Sequence, residues 1–151
     1  MVWASQGTGT IYEAVFPAAV ELLTREAGLA GKLGQAGALI AENARVCGLL
    51  SIDYGADLTS LREQVLDRLR EAGHELTLEE LRSTIEPLEK AFAVADHSRT
   101  LAFMFGDGIV PSNVRAGYLA RMVLRRTLLL LRDLGIPEAL PQVVGQHLKE
   151  L

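Results

Sequence analysis

The sequence predicts an all-α helical bundle. Apolar residues recur at helical rather than alternating spacing almost throughout, two Thr-x-x-Glu capping boxes each open such a run, and glycine and proline punctuate the gaps between runs. No alternating strand pattern, internal repeat or low-complexity tract competes. The 151 residues, 49% of them hydrophobic, suit a single domain over 1–151 with a core of useful size.

The elements follow in order. Thr10 with Glu13 in "TIYE" forms a capping box before an apolar run to Ala27, which Pro17 bends or divides. The glycine-rich link "GLAGKLGQAG" leads to a second helix over 36–50. Asp57 or Thr59 caps a third, running through Glu71 and stopped by Gly73. Thr77 with Glu80 opens a long helix to Phe105, in which Pro87 marks a kink or a break. "GDGIVPSN" is a turn-rich interruption, after which Ser112 or Asn113 caps a helix to Leu134. "GIP" ends that helix, and a short amphipathic tail helix follows.

Composition excludes several classes. No apolar run approaches the roughly 18 residues of a membrane span, and "MVWASQGTGT" lacks the basic and apolar regions of a signal peptide, so the chain reads as soluble and cytoplasmic. A single cysteine, Cys47, excludes an internal disulfide and a cysteine-rich zinc site; "ARVCGLL" reads as a small buried apolar position. His74, His97 and His147 have no ligand spacing, so no metal or cofactor site is expected. "GLAGKLG" fails as a phosphate loop, because Glu26 stands where Walker A needs glycine and Leu33 where it needs Ser or Thr.

Charge is unevenly placed. Residues 1–90 carry −6 and residues 91–151 carry +2, within a net −4. The cations concentrate in "DGIVPSNVRAGYLARMVLRR", which holds four arginines and no acid after Asp107. With Arg115 at zero and about 100° per residue, Arg121, Arg125 and Arg132 fall at about 240°, 280° and 260°, Tyr118 at about 300° and Arg126 at about 20°. The arginines share one face, and Ala116, Leu119, Ala120, Val123, Leu124, Leu128, Leu130, Leu131 and Leu134 form a broad stripe for the core. Arginine's planar fork pairs with phosphate, and Tyr118 offers a surface for stacking, so the face suits a nucleic-acid backbone. The plainer reading is a solvated face whose arginines pair with the acidic half of the same domain.

Two segments resemble one family. "ADHSRTLAFMFGDGIVPSNVRAGYLARMVLRRTL", Ala95 to Leu128, is similar to the region that follows the catalytic core of alanyl-tRNA synthetases, in their archaeal form. "VWASQGTGTIYEAVF" looks like the exit from that family's class II catalytic domain, which places residues 1–16 at the core's edge. The resemblance covers most of the chain, with residues 28–85 carrying little that is specific. It implies a helical tRNA-recognition domain that receives the acceptor stem of alanine tRNA and helps read a G·U wobble pair. The family's "PSN" asparagine falls on Asn113, which would inspect the base edge while Arg115, Arg121, Arg125 and Arg126, with Tyr118, hold the backbone. The chemistry is compatible: the minor groove of A-form RNA is wide and shallow, and a carboxamide both accepts and donates.

What the resemblance leaves out also matters. Nothing here matches the ATP-binding motifs of a class II core, the metal ligands of an editing domain, or the later aspartate with which the family reads the wobble pair from its other side. The chain is therefore expected neither to activate alanine nor to edit, and to work with the remainder of a synthetase if it is part of one. Its expected partner is RNA, not DNA or a membrane. Asn113 also fits a plain helix cap, Asp107 a turn former, and His97 a hydrogen-bonded structural histidine. The competing class is a structural or protein-binding bundle.

Overall fold

A 29-residue helix, Leu78–Gly106, forms the axis on which the other helices pack in the computed structural model, which describes residues 10–33, 39, 58–71 and 73–150. In chain order the helices are α1 (Ile11–Val15), α2 (Pro17–Glu26), α3 (Leu58–Glu71), α4 (Leu78–Gly106), α5 (Arg115–Asp133), a short 3-10 turn (Pro137–Ala139) and α6 (Leu140–Glu150). The fold is all-α, with no strand among the described residues. The helix expected over 36–50, the capping role of Asp57 and the burial of Cys47 lie outside the described residues, as do residues 1–9.

Local chemistry sets the ends. Thr10 Oγ1 accepts from the Glu13 N–H at 3.3 Å, and Pro17 divides the first run, with Phe16 (φ −130°, ψ 50°) as the joint between α1 and α2. Thr77 and Glu80 form the full reciprocal box, Thr77 N–H to Glu80 Oε2 at 2.8 Å and Glu80 N–H to Thr77 Oγ1 at 3.2 Å. These bonds to its charged form hold the Glu80 carboxyl below the ordinary carboxylate range. At the far end of α4, Gly108 takes φ +77°, which lets the Ile109 N–H return to the Met104 carbonyl at 2.9 Å and turns the chain out of the helix.

Pro87 neither breaks nor ends α4. Proline has no N–H for the carbonyl four residues earlier, which would leave the Ser83 carbonyl without its helical donor. Lys32 supplies one, its Nζ lying 3.4 Å from the Ser83 oxygen.

Among the described residues two separate apolar clusters lie along α4. The larger joins Phe16, Ala19, Val20 and Leu23 of the α1–α2 segment to Leu88, Phe92 and Ala95 of α4, Leu131 of α5 and Val143 of α6. The smaller joins Val65, Leu66 and Leu69 of α3 to Leu81 and Ile85, with Leu39. Alanines at 91, 95 and 102 and Ser98 are buried on α4, and their small size lets neighbouring helices approach closely. Salt bridges edge the packing: Arg62 reaches Glu86 at 2.6 Å and Glu89 at 3.3 Å from α3, and Lys90 reaches Asp133 at 3.1 Å from α4 to α5.

His147 is the polar exception in the core. Fully buried on α6, it sets Nε2 2.9 Å from Ser98 Oγ and meets the Phe16 ring edge-on at 5.6 Å, while its buried Nδ1 has no hydrogen-bond partner among the described residues. Burial pushes its pKa below the ordinary value, outweighing the Ala95 backbone and the Glu150 carboxylate, which favour the charged form; Arg99 works with burial. His97 on α4 is shifted the same way, chiefly by burial. In the unfolded chain both rings take up a proton below about pH 6.5, whereas in the folded chain they resist it. The unfolded state therefore binds more protons in that window, and stability is expected to fall as pH drops from about 6.5 toward 5. Melting temperatures across this range, for the wild type and for His147→Gln, check this. A wild-type curve that is flat below pH 6.5, or an unchanged slope in the variant, would contradict it.

Candidate nucleic-acid interface

The interface is built on α5 and the loop that feeds it. Gly117, Ala120, Thr127 and Leu131 are the buried residues of α5, a stripe at about 120–200° on the helical projection. Small side chains at the first two positions bring α5 close to the rest of the fold. Thr127 is accommodated because its Oγ1 donates to the Val123 carbonyl at 2.8 Å. The stripe is narrower than the sequence predicts: Ala116, Leu119 and Leu128 are exposed, and so are Met122 and Leu129. Among the described residues α5 packs chiefly against α4 and the 3-10 turn, so apolar residues elsewhere on its surface are left exposed.

Arg115, Arg121, Arg125, Arg126 and Arg132 are all exposed, as their spacing predicts. Among the described residues none of the five lies within ion-pair distance of a carboxylate; the ion pairs belong to Arg25, Arg62, Arg68, Arg70, Lys90 and Arg99. The plainer reading, in which these arginines pair with the acidic half of the domain, finds no support there. Tyr118 is 54% exposed and shares with the exposed Met122 and Leu129 the sector at about 300–340° of the helical projection, so the cations flank an apolar strip.

The loop 107–114 is closed by its own hydrogen bonds. The Ser112 N–H donates to the Gly117 carbonyl at 2.9 Å, and the Ser112 hydroxyl donates to the Val114 carbonyl at 3.2 Å while lying 3.4 Å from the Val114 N–H. Neither Ser112 nor Asn113 caps α5. The N-cap is Val114, without a side-chain cap hydrogen bond, because the Ser112 hydroxyl is spent within the turn and the Asn113 carboxamide points elsewhere. Asn113 is exposed, and its Oδ1 accepts from Arg121 Nη1. Arg115 begins the helix at φ +50°, a left-handed conformation that costs a residue other than glycine about 1–3 kcal/mol. Gly117 lies so close beneath the loop that a Cβ there would sit 2.1 Å from Ser112 Oγ and 2.6 Å from the Val110 carbonyl oxygen.

The sequence reading thus locates the arginines, Tyr118 and Asn113 on one exposed surface, but misses three features. The spatial tie between Arg121 and Asn113 spans a helix boundary, where periodicity gives no signal. The glycine within "RAGY" was a visible signal for the close approach at Gly117. His97, expected to be hydrogen-bonded, has a buried Nδ1 with no partner among the described residues; burial chiefly opposes its protonation, Asp96 favours it and Arg126 adds a smaller opposing effect. Asp107 is the C-cap of α4, as a turn residue would be. No group of three or more metal-ligating side chains occurs among the described residues, and none of their helices is long and apolar enough to cross a membrane.

Known proteins match over the same span. A family model described as tRNA synthetases class II (A) covers residues 1–151. The chain is 44% identical to the alanine–tRNA ligase of Methanococcoides burtonii, with all of the chain and 16% of that protein aligned. Against the alanine–tRNA ligase of Halorubrum lacusprofundi it is 46% identical, over 99% of the chain and 15% of the relative. Against that of Pyrococcus furiosus it is 44% identical, over 100% and 16%. The chain spans about one sixth of the length of these relatives. With a family model matched from end to end and alanine–tRNA ligases among its relatives, the chain belongs to the class II tRNA synthetases.

Proposed function

We propose that this chain is the tRNA-recognition part of an alanine–tRNA ligase, taking the acceptor stem of alanine tRNA on the exposed face of α5 and reading its G·U wobble pair from the loop that carries Asn113. The observation that carries the reading is the set of five exposed arginines without carboxylate partners among the described residues, set beside an asparagine held clear of any capping duty. Exposed, uncompensated guanidinium groups suit phosphate, and a carboxamide beside them suits a base edge. Arg115, Arg125 and Arg126 hold the backbone, and Tyr118 packs against it. Activation of alanine and transfer to the tRNA belong to the rest of the synthetase, which this chain serves by placing the acceptor end.

A second reading draws on the strip of Tyr118, Met122 and Leu129, whose exposed apolar surface fits a protein-docking bundle. One titration separates the two. Acceptor-stem hairpins with a G·U or a G·C pair are titrated at several salt concentrations; phosphate contacts give affinity that falls with salt. Asn113→Ala is expected to shrink the preference for G·U by about 1–3 kcal/mol with little change in salt slope. Arg125→Ala is expected to weaken both hairpins alike and to flatten the slope by about one. No salt-dependent hairpin affinity at all would favour the docking bundle and defeat the RNA reading.

A further inference from the structure

We infer that Arg121 is a positioning residue for Asn113, so that base-edge selectivity belongs to the pair and not to the asparagine alone. This rests on the RNA reading above and assigns Arg121 a task different from that of its neighbours on the cationic face.

Asn113 lies outside α5, is exposed, and makes no cap, so nothing helical orients its side chain. A free surface carboxamide would sample several rotamers and both amide orientations, and would present donor and acceptor to a base edge in no fixed order. Arg121 removes that freedom. Its Nη1 donates to Asn113 Oδ1, which fixes the oxygen toward α5 and so sets which end of the carboxamide accepts and which donates. One lone pair on Oδ1 stays open, so a base can still meet both an N–H donor and an acceptor, now in a set orientation.

The surroundings fix both partners. The backbone beside Asn113 is clasped by the Ser112 bonds to Gly117 and Val114, and Gly117 leaves no room for the loop to sink. Arg121 stands one helical step from the buried Ala120 on α5, on a rigid element, and has no ion-pair partner among the described residues to draw it away. A guanidinium keeps further N–H donors beside the one it gives to Asn113, so it can also meet a phosphate and couple backbone docking to base reading.

The test is a double-mutant cycle read as the ratio of G·U to G·C hairpin affinities, alongside the salt slope. Arg121→Ala is expected to lower the ratio by as large a factor as Asn113→Ala, about fivefold or more, and the double variant to lower it no further. Arg121→Lys keeps the charge, and is expected to retain the salt slope without restoring the ratio, since a single ammonium on a shorter stem does not replace the fork. In the free protein, the Asn113 side-chain amide resonances are expected to shift in Arg121→Ala and to stay in place in Arg125→Ala. Both residues are exposed, so matched melting temperatures show that the variants remain folded. An Arg121→Ala protein that keeps the wild-type ratio and loses only salt slope, as Arg125→Ala does, overturns the proposal while leaving the RNA reading intact. A wild type that binds the two hairpins equally defeats that reading, and this proposal with it.

Discussion

Leu88→Ala is expected to remove about 2–5 kcal/mol of folding stability, the range for a fully enclosed leucine truncated to a methyl. Leu88 has no exposed surface and sits in the larger cluster among residues of α2, α4, α5 and α6. Truncation loses the transfer free energy of the buried methyl groups and leaves a cavity that four helices would have to shift to fill. Domains of ordinary stability hold only about 5–15 kcal/mol, so the change takes a large share of the total. Urea unfolding followed by circular dichroism measures it, with Leu88→Met, which conserves volume, expected to cost less than about 1.5 kcal/mol. A loss below about 1 kcal/mol in Leu88→Ala would mean that this core is not closed in solution.

Gly117→Ala is expected to disturb the proposed RNA interface where most glycine-to-alanine changes inside a helix would strengthen the protein. Alanine is favoured over glycine in a helix by about 1 kcal/mol. Here its Cβ would meet Ser112 Oγ at 2.1 Å and the Val110 carbonyl oxygen at 2.6 Å. A serine hydroxyl can rotate away, but the carbonyl is backbone, so relief requires moving the loop. Overpacking of this kind costs about 1–3 kcal/mol, enough to cancel the propensity gain or exceed it. The movement would break the Ser112 clasp and shift Asn113 relative to Arg121, so the proposed preference for the G·U hairpin should vanish even if the fold survives. Gly145→Ala is the matched control, since nothing lies within 4 Å of a Cβ there, and it should be neutral or stabilising. If the two variants melt alike and Gly117→Ala still prefers the G·U hairpin, the loop is not clasped in solution.

These contrasts mark what the sequence can convey. Thr10, Pro17, Gly73 and the Thr77–Glu80 box could be read directly because each acts on backbone within a few residues. The exposed arginines were legible for the same reason, one helix having one period. The core stripe of α5 is narrower than its apolar pattern, because hydrophobicity does not say which flank of a helix will find a neighbour; among the described residues Leu119, Leu128 and Leu129 find none that covers them. Lys32 with Ser83, 51 positions apart, and Ser98 with His147, 49 apart, depend on helix placement that no local pattern encodes. At the loop, both candidate caps had side chains engaged in other bonds, which a propensity rule cannot see. The proposal of RNA as ligand rests on resemblance to a family, because an arginine face alone fits a solvated surface as well.

The place where α4 lacks an internal hydrogen bond lies between the two apolar clusters: Leu81 and Ile85 precede Pro87, and Leu88, Phe92 and Ala95 follow it. One helix therefore runs through two separate apolar clusters, and the gap in its backbone ladder falls between them. In hydrogen exchange this boundary is expected to appear as a step in protection along a single unbroken helix, with the α3 side opening first. The surface proposed to hold RNA lies beyond that boundary, on the side of the cluster that includes Leu131 of α5.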